Sequence, residues 1–248
     1  NVYSAKGKYD KALEYYFSAL KIFRKLGAEN SIHQAYSNIG LIYMDKGDLD
    51  TALDYQIRTY KYLKEKGSSG QDLADSYNHI ALVYHIKGDW NNALEYYLPA
   101  LKIFEERGDK HGISTILLNS GNVYADQGKL GKALEYYNKA LIISEEIDDK
   151  EGMANANNNI GLIYFDRYEH EKALEHYNKA LKKYKEIGDR YGEGITMENI
   201  GIDYLLRNDF TKANEMFKKS LDIQIIIGLG ADDLLETTTY LYLTYKHL

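Results

Sequence analysis

The chain contains no cysteine. It therefore has no disulfide framework, no thiolate metal ligand and no thiol nucleophile, a composition that fits a reducing, cytoplasmic setting. There is one proline in 248 residues, so little interrupts a helix. No apolar run approaches the roughly 20 residues needed to cross a bilayer, and no basic-then-apolar leader pattern is present; membrane insertion is not expected. An excess of basic charge is missing too. The net charge is −6, with lysine and glutamate mixed along the sequence, which argues against the concentrated basic stripe of a nucleic-acid binder. What the chain has in abundance is tyrosine, 25 residues in all. Tyrosine suits small, regular helix–helix joints in which the ring is buried and the hydroxyl reaches water.

The remaining signal is a repeat. The stretch Ala154 to Lys185 reads as two amphipathic helices with a tight connection, and most of the chain copies it. Lys172-Ala173-Leu174-Glu175 recurs as Lys11-Ala12-Leu13-Glu14, Thr51-Ala52-Leu53-Asp54, Asn92-Ala93-Leu94-Glu95 and Lys132-Ala133-Leu134-Glu135, with a weaker copy at Lys212-Ala213-Asn214-Glu215. The alanines are spaced 40, 41, 40, 40 and 40 residues apart. In step with them run Ile39-Gly40, Ile80-Ala81, Ser120-Gly121, Ile160-Gly161 and Ile200-Gly201. Two helices per fixed period form a solenoid, in which each unit buries its apolar face against its neighbours. The expectation is a single array over residues 1–248, with six repeats at 1–26, 33–64, 73–105, 112–146, 152–187 and 192–226 and a divergent terminal helix at 232–248.

Each repeat has a first and a second helix with apolar spacing of three and four. Asn1 to Lys6 reads as the end of a first helix whose start lies upstream, with Tyr3 in the place of Tyr43, Tyr84, Tyr124, Tyr164 and Tyr204. The expectation is that the N-terminal edge lacks its cap and that further repeats precede it in a longer parent. Gly27 and Gly47 end helices, and Asp48 can cap the next one. The connectors Gly108 to Gly112, Asp148 to Gly152 and Gly188 to Gly192 share a stop, an acidic cap and a restart. Ser68-Ser69-Gly70-Gln71 is the softest linker and holds one inserted residue. Thr237-Thr238-Thr239 is poor helix material and blurs the bounds of the last element.

The small residues mark where two helices of a hairpin must approach closely. Tyr16, Tyr97, Tyr137, Tyr177 and Phe217, four residues after the alanines, should fill the space beside them. Gln56 breaks that column and marks the second repeat as the weakest joint. These positions need no chemistry; packing alone explains them.

Together these residues resemble the tetratricopeptide repeat. Tyr36, Ile39, Gly40, Tyr43, Gly47, Asp48 and Ala52 fall on its motif, as do Asn119, Gly121, Tyr124, Gly128, Ala133, Tyr137 and Ala140. Two copies depart: Tyr168 replaces the turn glycine and His170 the apolar residue opening the second helix, and Ala81 replaces a glycine. The long period resembles the extended subclass seen in LGN/Pins-type adaptors, in Rap and PlcR peptide-responsive regulators, and in sensory portions of bacterial signalling proteins. The resemblance implies an all-α, right-handed superhelical solenoid of antiparallel helix pairs with its first helices along the concave face. It speaks for architecture more than for function, since the family shares a scaffold rather than a chemistry.

One polar column is regular. Asn38, His79, Asn119, Asn159 and Asn199 each stand two residues before the small packing position. In tetratricopeptide proteins an asparagine here looks like a peptide-backbone holder, because its amide both donates and accepts. Asparagine could simply be tolerated on a solvated face, but Lys or Glu would be favoured there on helix propensity alone. Around the column lie Asn78 and Asn158, then Asp45, Asp126 and Asp166, with Met44, His85, Phe165 and Leu205 adding irregular surface suited to selectivity. The aspartates point to a neutral or basic partner. The histidines lack close ligand spacing, so no metal or other cofactor is expected. Nothing marks a paired-carboxylate pocket or a phosphate loop.

The expected function is therefore non-enzymatic: a groove that holds an extended peptide or helical segment of a partner protein, within a larger signalling or adaptor protein. The alternatives are a peptide-responsive regulator acting on a signalling protein, and a structural scaffold that self-associates through open repeat ends.

Overall fold

A break every twenty residues or so, in several places followed by a capping aspartate, cuts the chain into short amphipathic helices. The structure is a computed structural model. It describes residues 2–247, with the side chains of 2–8 and 231–233 outside the description. Twelve helices and no strand occur among the described residues: α1 (Val2–Leu26), α2 (Glu29–Asp45), α3 (Leu49–Glu65), α4 (Gln71–Ile86), α5 (Trp90–Arg107), α6 (Lys110–Asp126), α7 (Leu130–Glu146), α8 (Lys150–Asp166), α9 (His170–Ile187), α10 (Arg190–Leu206), α11 (Phe210–Ile226) and α12 (Ala231–Tyr245). Even-numbered helices are the first members of the repeats and odd-numbered helices the second. Pro99 lies inside α5, which continues past it.

The breaks have the expected chemistry. Gly108 and Gly188 adopt left-handed φ of 65° and 73°, a conformation that glycine enters without a Cβ penalty. The next residue then caps the following helix: Asp109, Asp149 and Asp189 each accept the amide of the glycine three residues on, at 3.0, 3.1 and 3.0 Å. Within the hairpins Asp48, Asp89 and Asp209 accept the backbone amides of Thr51, Asn92 and Lys212 in the same way. Tyr168 takes the left-handed turn position with φ of 60° and no glycine.

Three expectations shift. Gly112, Gly152 and Gly192 are not helix starts; α6, α8 and α10 begin two residues earlier. At Gly192 a Cβ would run into the Tyr184 ring, so this glycine permits close packing inside a helix. α1 continues through Gly7 as one helix rather than breaking into two. A helix-interior glycine costs only about 1 kcal/mol, and nothing local forces a stop; the Tyr3 register lies outside the described side chains. Finally, α12 runs straight through its three threonines. The single proton of the Thr237 hydroxyl is shared between Glu198 Oε1 at 2.9 Å and Gln224 Oε1 at 3.0 Å on neighbouring helices, while Thr238 and Thr239 donate back to the Leu235 carbonyl, so cross-helix and local bonds satisfy the hydroxyls that would otherwise compete with the helix.

The chain forms two compact units, residues 2–123 and 124–248, and the division falls inside α6. In the first, α1 to α5 pack in sequence order, each against the next; in the second, α7 to α12 do so. Both are solenoids of antiparallel helix pairs. Ala93, Tyr97, Ala100 and Phe104 of α5 meet Ala74, Ala81, Ile116 and Val123 in one core; Ala173, Leu174, Tyr177 and Ile200 form another. The small positions work as spacers. A Cβ at Gly161 would lie 2.6 Å from the Tyr177 ring, and one at Gly201 2.7 Å from Phe217. Gln56 fills the corresponding place in the second repeat: it is fully buried, its Nε2 donates to the Ser37 carbonyl at 3.0 Å, and its Oε1 has no partner.

Candidate functional site

First helices also touch first helices. α2 meets α4, α8 meets α10 and α10 meets α12, whereas no such contact joins α3 to α5 or α9 to α11 among the described residues. Within each unit the even-numbered helices thus form the crowded, inner layer. This layer carries the polar column.

Asn38, His79, Asn119, Asn159 and Asn199 are all half-buried, each directly before a buried residue of the hairpin joint. Three of the column residues, His79, Asn119 and Asn199, are tied to the preceding first helix. Asn119 Nδ2 donates to Asn78 Oδ1 at 3.0 Å. Asn199 Nδ2 reaches Asn158 Oδ1 at 3.3 Å, which also accepts from Thr196 at the same distance. His79 Nδ1 lies 3.4 Å from Ser37 Oγ. Thus Asn78 and Asn158 are brackets rather than free surface: Asn78 is half-buried and Asn158 buried. An amide has four hydrogen-bonding valences, so one such bond orients the side chain and leaves capacity for a ligand.

Asp45, Asp126 and Asp166 are exposed and form the last residues of α2, α6 and α8. Seven residues separate each from its column asparagine, about 10 Å along the same helix face. Burial pushes the Asp166 carboxyl above its usual value. Phe165, His85, Met44 and Leu205 are half-buried beside these helix ends, and Phe165 packs edge-on against His170 at 6.3 Å.

A second polar feature escaped the sequence reading. In the first unit, clefts open on both sides of α4. One, of about 130 Å³, lies between α2 and α4; the other, of about 250 Å³, lies between α4 and α6. Asp75 lines both. Burial, then the Asp72 and Asp109 carboxylates, push its carboxyl above the usual range, and burial holds the His79 imidazole below its usual value. The signal was available: Asp75 precedes His79 by four residues and so shares its helix face.

These hairpins match family models described as the tetratricopeptide repeat at residues 1–26, 33–58, 72–146 and 152–225. The chain belongs to the tetratricopeptide repeat family. Among curated proteins, no sequence matches it. Solved structures do share its fold. BtubC (BKLC) from P. vanneervenii aligns over 90% of this chain and 93% of its own with 21% identity and a TM-score of 0.73. The apo form of the quorum sensor NprR from B. thuringiensis aligns over 95% of this chain with 19% identity and a TM-score of 0.72; this chain spans 65% of it. A signal transduction ATPase with a tetratricopeptide repeat sensor from Pyrococcus horikoshii aligns over 93% of this chain with 18% identity and a TM-score of 0.68; this chain spans 39% of it. At such identities the likeness concerns the fold.

No group of three or more His, Cys, Asp or Glu among the described residues is placed to hold a metal. No helix among them is long and apolar enough to cross a membrane.

Proposed function

We propose that this tetratricopeptide array holds an extended peptide or helical segment of a partner protein along the exposed side of its first helices. On this reading the column Asn38, His79, Asn119, Asn159 and Asn199 grips the partner's backbone, and the irregular positions around it, including His85, Phe165, Asp45, Asp126 and Asp166, supply selectivity. The observation that carries the reading is the cross-helix bracing of the column by Asn78 and Asn158. A side chain already oriented by one hydrogen bond loses less entropy when it binds, and that preorganisation favours affinity. The carboxylates near the column favour a neutral or basic partner over an acidic one, and the forty-residue period supports, on the same reading, a proposed kinship with the extended adaptor and sensor branch of the family.

The test is affinity capture with the chain and with a variant carrying Asn119→Ala and Asn159→Ala, followed by titration of the captured partner. The expected result is at least a tenfold loss of affinity, the equivalent of about 1.4 kcal/mol, with helicity and melting nearly unchanged. Equal affinity of both forms removes the column from the recognition site.

A further inference from the structure

We infer that the cleft between α2 and α4 is an anchor pocket for a guanidinium group carried by the partner, an inference that rests on the groove reading above and names the side chain the groove selects. The site is built from both helices. His33 of α2 is only 7% exposed and lines the cleft with Ser37, Asp72, Asp75 and His79. Its ring is fixed by stacking on Tyr62, with centroids 4.9 Å apart and planes inclined by 21°. Neither His33 ring nitrogen has a hydrogen-bond partner among the described residues, and neither is among the sealed, unpartnered polar atoms, so both keep access to the cleft. The ring is therefore held rigid and aimed at the cleft with its bonding capacity unspent.

The opposite wall is anionic. Asp72 and Asp75 stand three residues apart on α4, so they are neighbours on its surface. No lysine or arginine among the described residues pairs with either. Asp75 already feels repulsion from Asp72 and Asp109, and an incoming cation would relieve it. A metal ion is disfavoured because no three suitable ligands are grouped among the described residues. A guanidinium fits better than an ammonium. Acceptors lie on two walls rather than at one point, and guanidinium spreads five donors across a plane where ammonium is compact. Size agrees: a cavity of about 150 Å³ accommodates benzene, and this cleft of about 130 Å³ suits a smaller planar group.

The probe is N-acetyl-arginine methylamide, titrated into the full chain and followed by the imidazole signals of His33 and His79. Parallel arms use the citrulline analogue, which keeps the shape without the charge, the lysine analogue, and a blocked Ala-Arg-Ala peptide. The arginine probe should shift both histidines, bind more tightly than the lysine analogue, and bind about tenfold or more weakly to Asp75→Asn, as expected for loss of a hydrogen bond to a charged group. Citrulline should leave both signals in place, and the peptide should bind at least as tightly as the single residue. Asp75→Asn removes repulsion rather than a contact of the fold, so its melting temperature should not fall. Asp72→Asn provides a second carboxylate removal with the same expected direction. Equal response to citrulline, unchanged affinity in both variants, or exclusion of the peptide overturns the pocket. The groove reading is judged separately by the asparagine variant: unchanged partner affinity there while the arginine probe still binds sinks the groove, and a tenfold loss there while the arginine probe fails to bind sinks only the pocket.

Discussion

His170 Nδ1 lies 2.7 Å from a carboxylate oxygen of Asp203, a side chain with no exposed surface. Each residue breaks the repeat at its own position. His170 stands where Leu49, Trp90, Leu130 and Phe210 open the second helix; Asp203 stands where Val83, Val123 and Ile163 are buried. Two departures from the apolar pattern thus meet each other across the joint of α9 and α10. The second Asp203 oxygen has no hydrogen bond, and Arg207 stands 3.7 Å from it. Removing one partner of a buried pair leaves an uncompensated charge, at a cost of about 3–5 kcal/mol, whereas replacing both with apolar residues is often neutral or stabilising. His170→Leu should therefore destabilise the chain, by an amount near the low end of that range because Arg207 remains. His170→Leu with Asp203→Val should recover the loss. Urea unfolding of the four proteins of this cycle provides the check; additive single effects would mean the two residues do not act together.

The buried tyrosine column should contain two removable hydroxyls. Tyr97 and Tyr177 are 1% and 0% exposed, and neither hydroxyl has a hydrogen-bond partner. An unmet buried donor costs about 1–3 kcal/mol. Phe217 already fills the same position in the sixth repeat, fully buried. Tyr97→Phe and Tyr177→Phe should be neutral or raise stability by up to about 1 kcal/mol. Tyr184→Phe is the contrast, because its hydroxyl donates to Asn155 at 2.6 Å, and its loss should cost about 1 kcal/mol. Thermal melts of the three variants rank them; a loss at Tyr177 equal to that at Tyr184 would refute the assignment.

Spacing within a hairpin is set at the small position. Gly161 faces the Tyr177 ring closely enough that a Cβ would sit 2.6 Å away. Ala81 occupies the same place in the third repeat beside Tyr97, with both fully packed, so the joint can widen by a methyl group. Gly161→Ala should cost about 1 kcal/mol, and Gly161→Leu about 3 kcal/mol or more, since overpacking moves backbone as well as side chains. Denaturant midpoints at constant slope would show it; a leucine variant as stable as the alanine one would mean the joint is loose.

The architecture was legible because packing repeats. Alanines at forty-residue intervals, glycines in step with them and the aspartates that follow six of the stops (Asp48, Asp89, Asp109, Asp149, Asp189 and Asp209) are local signals that the fold uses for what they usually mean. α7, α9 and α11 have the bounds their patterns suggest. The misses have a common cause. Gly112, Gly152 and Gly192 read as helix breakers because glycine is a poor helix former, yet here the missing side chain makes room for Phe104, Ser144 and Tyr184. The bracing of the column was hidden for a similar reason: Asn119 meets Asn78 forty-one residues away, a pairing set by the offset between neighbouring first helices. The cleft beside His33 depends on which side chains lack a partner, and one sequence does not disclose that.

Acid should weaken the chain before its carboxylates titrate. Burial holds His33, His79 and His176 below the ordinary imidazole value of 6.5. For each, the unfolded chain binds a proton more readily than the folded one, so stability is complete above pH 6.5 and falls as pH drops through the folded values. Asp75, Asp166 and Glu198 are displaced upward, from 3.8, 3.8 and 4.5, chiefly by burial. They act in the opposite sense, since protonating them favours the folded state, and their effect enters at lower pH, just above those values. The net expectation is a decline in unfolding free energy from about pH 7 to 5, which flattens below that as the raised carboxyls take up protons. His79→Asn, which restores the residue found at the other four column positions, should remove part of the decline while leaving stability at pH 8 within about 1 kcal/mol. Urea titrations at half-unit intervals distinguish the two curves; parallel curves for the variant and the parent would show that His79 bears none of the proton linkage.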